Sequence, residues 1–248
     1  MRGQGNGTAA GPGRRDRTRA ATAAAITRTA RRALVEQGAE GLSLRAVARD
    51  VGLTAPALYR YFPSRDDLLG QLVADLYDEV SDELERHRDA VAAHDTVGRL
   101  LAVSRGFRAW ALAHRREFAL LFGSPGDGPA RPAGERFGAI FAVLFAGVYL
   151  ARRFPVPADG DIEPALRAQL RSWLDAFPIP LPLGVMQVFL SCWIRLYSSV
   201  CLEVFGHLSF ALADAGRMFE AELRALAHLL GSPDSYRPPA ADAPLART

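Results

Sequence analysis

Between Ser43 and Phe62 the chain reads SLRAVARDVGLTAPALYRYF, and a single glycine joins two short apolar-periodic runs. In the first run Leu44, Val47, Ala48 and Val51 share one helical face, and in the second Leu58, Tyr61 and Phe62 close it. Gly52 makes the turn and Leu53 packs inward. Two helices this short are not stable alone, so both must bury their faces on a common core. The preceding segment supplies a third helix. From about Ala20 onward Ile26, Ala30, Ala33 and Leu34 repeat at steps of three and four, and Gly38 marks the stop.

The punctuation agrees. Ser43 and Thr54 stand where the two helices begin and are read as their caps, with Pro56 in a first turn that needs no N–H. Pro63 breaks the run, and Ser64 caps a long fourth helix with Asp66 and Asp67 in its first turn. Leu68, Leu69, Leu72, Val73 and Leu76 form its stripe, which runs to about Arg88. Residues 20–65 are therefore a helix-turn-helix domain. The pattern predicts further helices near 96–122, 135–153, 161–176, 183–205 and 208–230, with Gly/Pro loops at 123–134 and 154–160 and Pro178, Pro180 and Pro182 before the penultimate helix. No stretch repeats the period-two alternation of a sheet, so the fold class is all-α. Residues 1–19 read as a disordered basic arm, 66–230 as a helical body, and 231–248 as a flexible tail.

Charge divides along the same lines. Residues 1–60 hold eleven Arg against four acids, and the remainder holds nineteen Arg against twenty-three, within a total of 30 basic and 27 acidic residues. A basic head on an acidic body suits a nucleic-acid partner. Every basic residue is arginine, which with abundant alanine and glycine reflects a GC-rich coding composition. Cys192 and Cys201 are nine residues apart, about 13.5 Å along a helix axis, so they cannot bridge within it and read as free thiols. The five histidines offer no metal-ligand spacing, and neither cofactor nor metal is expected. The most apolar stretch, 181–210, carries Arg195, Glu203 and His207 and reads as buried helix rather than membrane span. No secretory signal is apparent.

The text from Gly41 to Val73, GLSLRAVARDVGLTAPALYRYFPSRDDLLGQLV, closely resembles the head of the TetR/AcrR family of bacterial one-component regulators. The stretches AWALAHRREFALLFGSP (109–125) and SSVCLEVFGHL (198–208) look like a C-terminal domain of one subset of that family. The resemblance implies a cytoplasmic homodimer, associated with the nucleoid when bound. Its two heads would enter successive major grooves of a palindromic operator, and a small molecule in the body would alter their spacing. Such proteins usually act as repressors.

On that reading Thr54 to Tyr61 is the recognition helix. Thr54 caps it or touches phosphate. Ala55, Pro56 and Ala57 form a small leading face that can approach a thymine methyl but donates no side-chain hydrogen bond. Readout then falls to Arg45, Arg60 and DNA shape. By resemblance, Tyr59 and Tyr61 meet the operator backbone through their hydroxyls. Phe62 is core. Arg65 replaces the family's usual Lys at a phosphate, and Ser43 and Arg45 sit at a helix start that grips phosphate. Arg14, Arg15, Arg17 and Arg19 belong to the arm, which enters the minor groove or adds non-specific affinity.

In the body, Phe107, Trp110, Phe141, Phe145, Trp173, Trp193 and Tyr197 read as core or as the lining of a cavity for a hydrophobic or aromatic small molecule. His114, His207, Arg108, Arg195 and Glu203 are the polar residues that would orient it. His207 beside Gly206 also reads as a helix end. The last two helices are the expected dimer seam, with Val185, Val188, Phe189, Cys192, Phe210, Leu212, Phe219, Leu223, Leu226 and Leu230 as its apolar surface, shared with the intrachain core. A structural or nucleoid DNA binder without effector is the competing reading. An enzyme is disfavoured, because no Ser/His/Asp set, phosphate loop or paired-carboxylate pattern is visible.

Overall fold

The structure is a computed structural model that describes residues 13–123, 131–175 and 180–239, of which 131–133 by backbone alone. Among the described residues ten α-helices follow in order: α1 (Arg14–Gln37), α2 (Leu44–Val51), α3 (Ala55–Tyr59), α4 (Arg65–Asp89), α5 (Thr96–Ala113), α6 (Arg115–Phe122), α7 (Arg131–Arg152), α8 (Pro164–Leu174), α9 (Leu183–Val204) and α10 (Gly216–Leu229). The all-α expectation holds. The chain divides into two compact units at Asp75/Leu76, inside α4.

The first unit holds α1 to α3 and the start of α4. Its core is Ile26, Ala30, Leu42, Val47, Ala48, Leu58, Phe62 and Leu68, all buried. Gly52 adopts φ +76°, the left-handed conformation, while the N–H groups of Gly52 and Leu53 close α2 onto the Arg49 and Ala48 carbonyls. Ser64 caps α4: the Asp67 N–H donates to its Oγ at 3.0 Å, and the hydroxyl donates to the Asp67 carboxylate at 2.6 Å. The side chains of Ser43 and Thr54 stand at N-cap positions with extended backbone but make no cap hydrogen bond, contrary to the sequence reading.

The basic arm is also shorter than expected, because α1 begins at Arg14 and absorbs Arg14 to Arg19. No Gly or Pro interrupts the stretch from Arg14, Asp16 accepts from the Gly13 N–H at 3.2 Å, and Thr18 bonds back to the Arg14 carbonyl. The rest of the expected arm, residues 1–12, lies outside the described residues, as do 124–130, 176–179 and 240–248.

In the second unit α5 packs on α6, α7 and α9, and α9 on α8 and α10. The helix expected over 96–122 breaks at His114, whose φ −127° and ψ 48° leave the α region. The last helix starts at Gly216 instead of 208. Gly206, at φ +73°, ends α9, and the His207 N–H bonds back to the Leu202 carbonyl, so the chain turns through 205–213 before restarting. The tail is docked as far as Arg237. Ser232 is buried, Tyr236 donates to Glu220 at 3.1 Å, and Arg105 donates to the Arg237 carbonyl at 2.9 Å. Two stretches, Gly134–Arg152 and Leu183–Val204, are long and apolar enough to cross a membrane by length and composition, which the sequence reading did not allow. Here they lie in α7 and α9, which pack against α5 and each other.

Candidate nucleic-acid interface

α2 and α3 sort their side chains by face. Val47, Ala48 and Leu58 point into the core with at most 2% exposure, so their neighbours in sequence must face out. Ser43, Arg45, Thr54, Pro56, Tyr59 and Arg60 are exposed, and Ala55, Ala57 and Tyr61 half-buried. Ala55, Pro56 and Ala57 carry no side-chain donor, and of the three Pro56 is the exposed one. Arg65 is placed differently from the expectation. Its Nε donates to the Leu42 carbonyl at 3.2 Å and one Nη to the Ala39 carbonyl, which ties down the loop leading into α2.

The N-terminal turns of α1 lie beside the end of α3. Arg14, Arg15, Asp16, Thr18 and Arg19 face Arg60 and Tyr61 across an open groove of about 720 Å³. The Arg19 guanidinium carbon stands over the Tyr61 ring, 5.7 Å from its centroid. Arg14, Arg15 and Arg17 crowd the end of α1 where the helix dipole is already positive, and an approaching phosphate relieves that repulsion.

The body's nominated residues do not form one site. Phe107, Phe141, Trp193 and Tyr197 join Phe122 and Phe137 in one cluster of rings, with neighbouring centroids such as Phe141–Trp193 at 5.2 Å and Phe107–Phe137 at 5.4 Å. Tyr197 donates to the Phe122 carbonyl at 3.0 Å, and burial, then Cys201, pushes its phenol above the usual range. Trp173 and Phe145 both meet Phe189 instead. The cavity beside Phe145 has about 10 Å³, room for no more than one water. Trp110 stacks on His114 at 5.0 Å and donates to Glu79. His207 is exposed on the turn after α9.

Three of the polar candidates are held in ion pairs. Arg108 and Glu203 form a buried bidentate pair, and Arg195 donates twice to Glu222 at 2.7 and 3.0 Å. The sequence reading missed Arg105–Glu220, a second bidentate pair one turn from Arg108 at 2.7 and 2.8 Å; that hydrogen bonding raises the Arg105 pKa. It also missed Arg115, which donates to the last carbonyl of α9 at Val204. Pairs between residues about a hundred positions apart leave no local sequence signal. Among the described residues no group of three or more His, Cys, Asp or Glu could hold a metal.

Residues 26–72 match the profile of the bacterial regulatory proteins of the tetR family, and residues 100–226 match that of the tetracyclin repressor-like C-terminal domain. The HTH-type transcriptional regulator Rv1816 of Mycobacterium tuberculosis is 34% identical over 227 residues, spanning 88% of this chain and 96% of the relative. The chain belongs to the TetR family. Mb1846 of Mycobacterium bovis, also an HTH-type transcriptional regulator, matches to the same extent. Among solved structures, the regulatory protein SCO4313 superposes with a TM-score of 0.67 at 28% identity, over 86% of this chain and 98% of that one. RolR in complex with resorcinol shares the fold at a TM-score of 0.55 and 15% identity, over 90% of this chain and 96% of that one. As a TetR-family member the protein is a DNA-binding transcriptional regulator that forms a homodimer, and not an enzyme.

Proposed function

We infer that this regulator is a ligand-responsive repressor that holds a palindromic operator as a homodimer. The observation that carries the DNA side is the sorting of α2 and α3, which leaves Arg45, Thr54, Tyr59 and Arg60 exposed while Val47, Ala48 and Leu58 are buried. Thr54 and the small face Ala55–Pro56–Ala57 enter the major groove, and Tyr59, Arg60 and the start of α2 at Ser43 and Arg45 hold the backbone. Arg14, Arg15, Arg17 and Arg19 add phosphate contacts from the first turns of α1. Arg65 serves the head mainly by fixing the 39–42 loop.

The dimer seam lies on α9 and α10. Val185, Cys192, Phe219, Leu223, Leu226 and Leu230 are buried within one chain, so the surface offered to a second copy is Ile194, Leu202, Phe205, Met218 and Leu229, all at least 39% exposed. Phe210, 87% exposed on the turn before α10, extends it. The effector is a small hydrophobic or aromatic molecule received at the body's ring cluster around Phe107, Phe141, Trp193 and Tyr197, and the rings must part to admit it. The tight packing at Phe145 favours the second reading, a DNA binder without effector. Genomic footprinting of the full chain, followed by operator release assays with compounds made by the neighbouring genes' products, separates the two. Footprints at inverted repeats that vanish with one such compound support the sensor. Footprints indifferent to every compound support the second reading.

A further inference from the structure

Tyr61 is assigned to the DNA backbone by resemblance, through its hydroxyl, but its surroundings suggest another use. The ring is half-buried and packs on the head core, so its position is fixed. Arg19, one face of the groove away on α1, places its guanidinium over that ring at 5.7 Å, within the distance of about 6 Å at which a cation is attracted to an aromatic face. Arg19 itself is exposed. An exposed arginine spreads over many rotamers, and ordering it on contact with DNA carries an entropic cost. A ring that holds it in place beforehand removes part of that cost.

The rest of the groove fixes the ligand chemistry. Arg14, Arg15 and Arg60 line it with Arg19, against one acid, Asp16, whose carboxylate already accepts the Gly13 N–H. An open groove lined by four guanidinium groups fits a phosphodiester strand rather than a compact metabolite. We propose that Tyr61 is a positioning residue whose ring face, not its hydroxyl, serves DNA binding: it holds Arg19 across the groove toward a backbone phosphate outside the bases that α3 reaches. This rests on the interface reading above. It makes the α1 turns a rigid wall of the interface instead of a loose arm.

The test uses the full chain, a random-sequence duplex several helical turns long, and fluorescence anisotropy from about 50 to 200 mM salt. Losing one phosphate contact lowers the salt slope by about 0.9, which is about an eightfold weaker complex at 0.1 M salt. Arg19→Ala is expected to show both changes. Tyr61→Phe keeps the ring and is expected to bind as the parent does. Tyr61→Leu keeps apolar bulk against the core, and thus the melting temperature, but loses the ring face; it is expected to weaken binding in the same direction as Arg19→Ala. The double variant Arg19→Ala/Tyr61→Leu then binds no worse than Arg19→Ala alone. Equal losses in Tyr61→Phe and Tyr61→Leu, or additive losses in the double variant, overturn the proposal. If Arg19→Ala changes nothing while Arg60→Ala weakens binding, the positioning role of Tyr61 fails and the interface stands. If the parent shows no salt-dependent binding, the interface reading itself fails.

Discussion

Arg108 on α5 and Glu203 on α9 face each other as a buried bidentate ion pair, Nε to Oε2 at 2.6 Å and Nη2 to Oε1 at 2.5 Å, with 6% and 4% of their surfaces exposed. The same guanidinium lies 5.2 Å from the centroid of Phe219 on α10, so one side chain ties three helices of the body. Such a pair specifies an arrangement more than it stabilises one, because its desolvation offsets most of its attraction. Breaking it is another matter. Arg108→Met leaves a buried carboxylate unpaired and is expected to lower unfolding free energy by about 3–5 kcal/mol. Arg108→Met combined with Glu203→Leu is expected to recover most of that loss. Urea titrations of the three proteins check it, and a double variant as unstable as the single one refutes the account.

Gly52 is required for its backbone. A Cβ there would meet nothing within 4 Å, yet φ is +76°. Gly52→Val therefore costs conformational strain alone, about 1–3 kcal/mol, while Gly52→Asn costs less because Asn tolerates this region. Thermal melts should rank Gly above Asn above Val, and operator binding should follow the same order. Equal melting temperatures would contradict the turn assignment.

Tyr59 is 45% exposed on the outer face of α3 and is assigned to phosphate. Tyr59→Phe should weaken operator and random duplex alike, by roughly the 0.5–1.5 kcal/mol of one hydrogen bond. Anisotropy with both duplexes measures it. A loss confined to the operator would make Tyr59 a base reader.

The seam assignment separates two kinds of apolar residue. Ile194 is 61% exposed and Leu202 39%, eight residues apart on one face of α9, whereas Leu223 is fully buried. Ile194→Glu with Leu202→Glu should yield folded monomer in sedimentation, with helical circular dichroism intact. Leu223→Glu should instead unfold the chain. A dimer that survives the paired substitution would move the seam elsewhere.

Cys192 gives the body an alkaline limit. Burial pushes its thiol from 9.0 to about 11, with Arg195 opposing weakly. The folded-state value lies above the unfolded one, so the stabilisation is complete below pH 9 and is lost as pH rises toward 11. At about 1.4 kcal/mol per unit, the step is about 3 kcal/mol. Cys192→Ala should be less stable than the parent at pH 8, and the difference should shrink at high pH. An unchanged difference would show that the thiol does not titrate there.

How much of this was legible in the sequence varies by element. The head was readable because its signals are local: Gly52 must turn, Ser64 must cap, and Val47, Ala48 and Leu58 must lie on inner faces. The resemblance from Gly41 to Val73 added the function. The caps assigned to Ser43 and Thr54 failed because a hydroxyl at the right position need not be oriented to bond. The start of α1 at Arg14 was not legible because an arginine-rich stretch beside Gly and Pro reads as arm, although arginine favours helix. The helix over 208–230 was overextended because Phe210 and Leu212 fit its period, and only Gly206 in the left-handed region showed that the chain turns there.

The sequence alone therefore determined the class, the helix-turn-helix and its outward face, because periodicity and turn chemistry act between residues a few positions apart. Which arginine meets which glutamate, which aromatic rings pack into one cluster, and which apolar residues of α9 and α10 remain uncovered were decided by tertiary structure. Those outcomes depend on distances between residues such as 108 and 203 or 19 and 61, which no local pattern encodes.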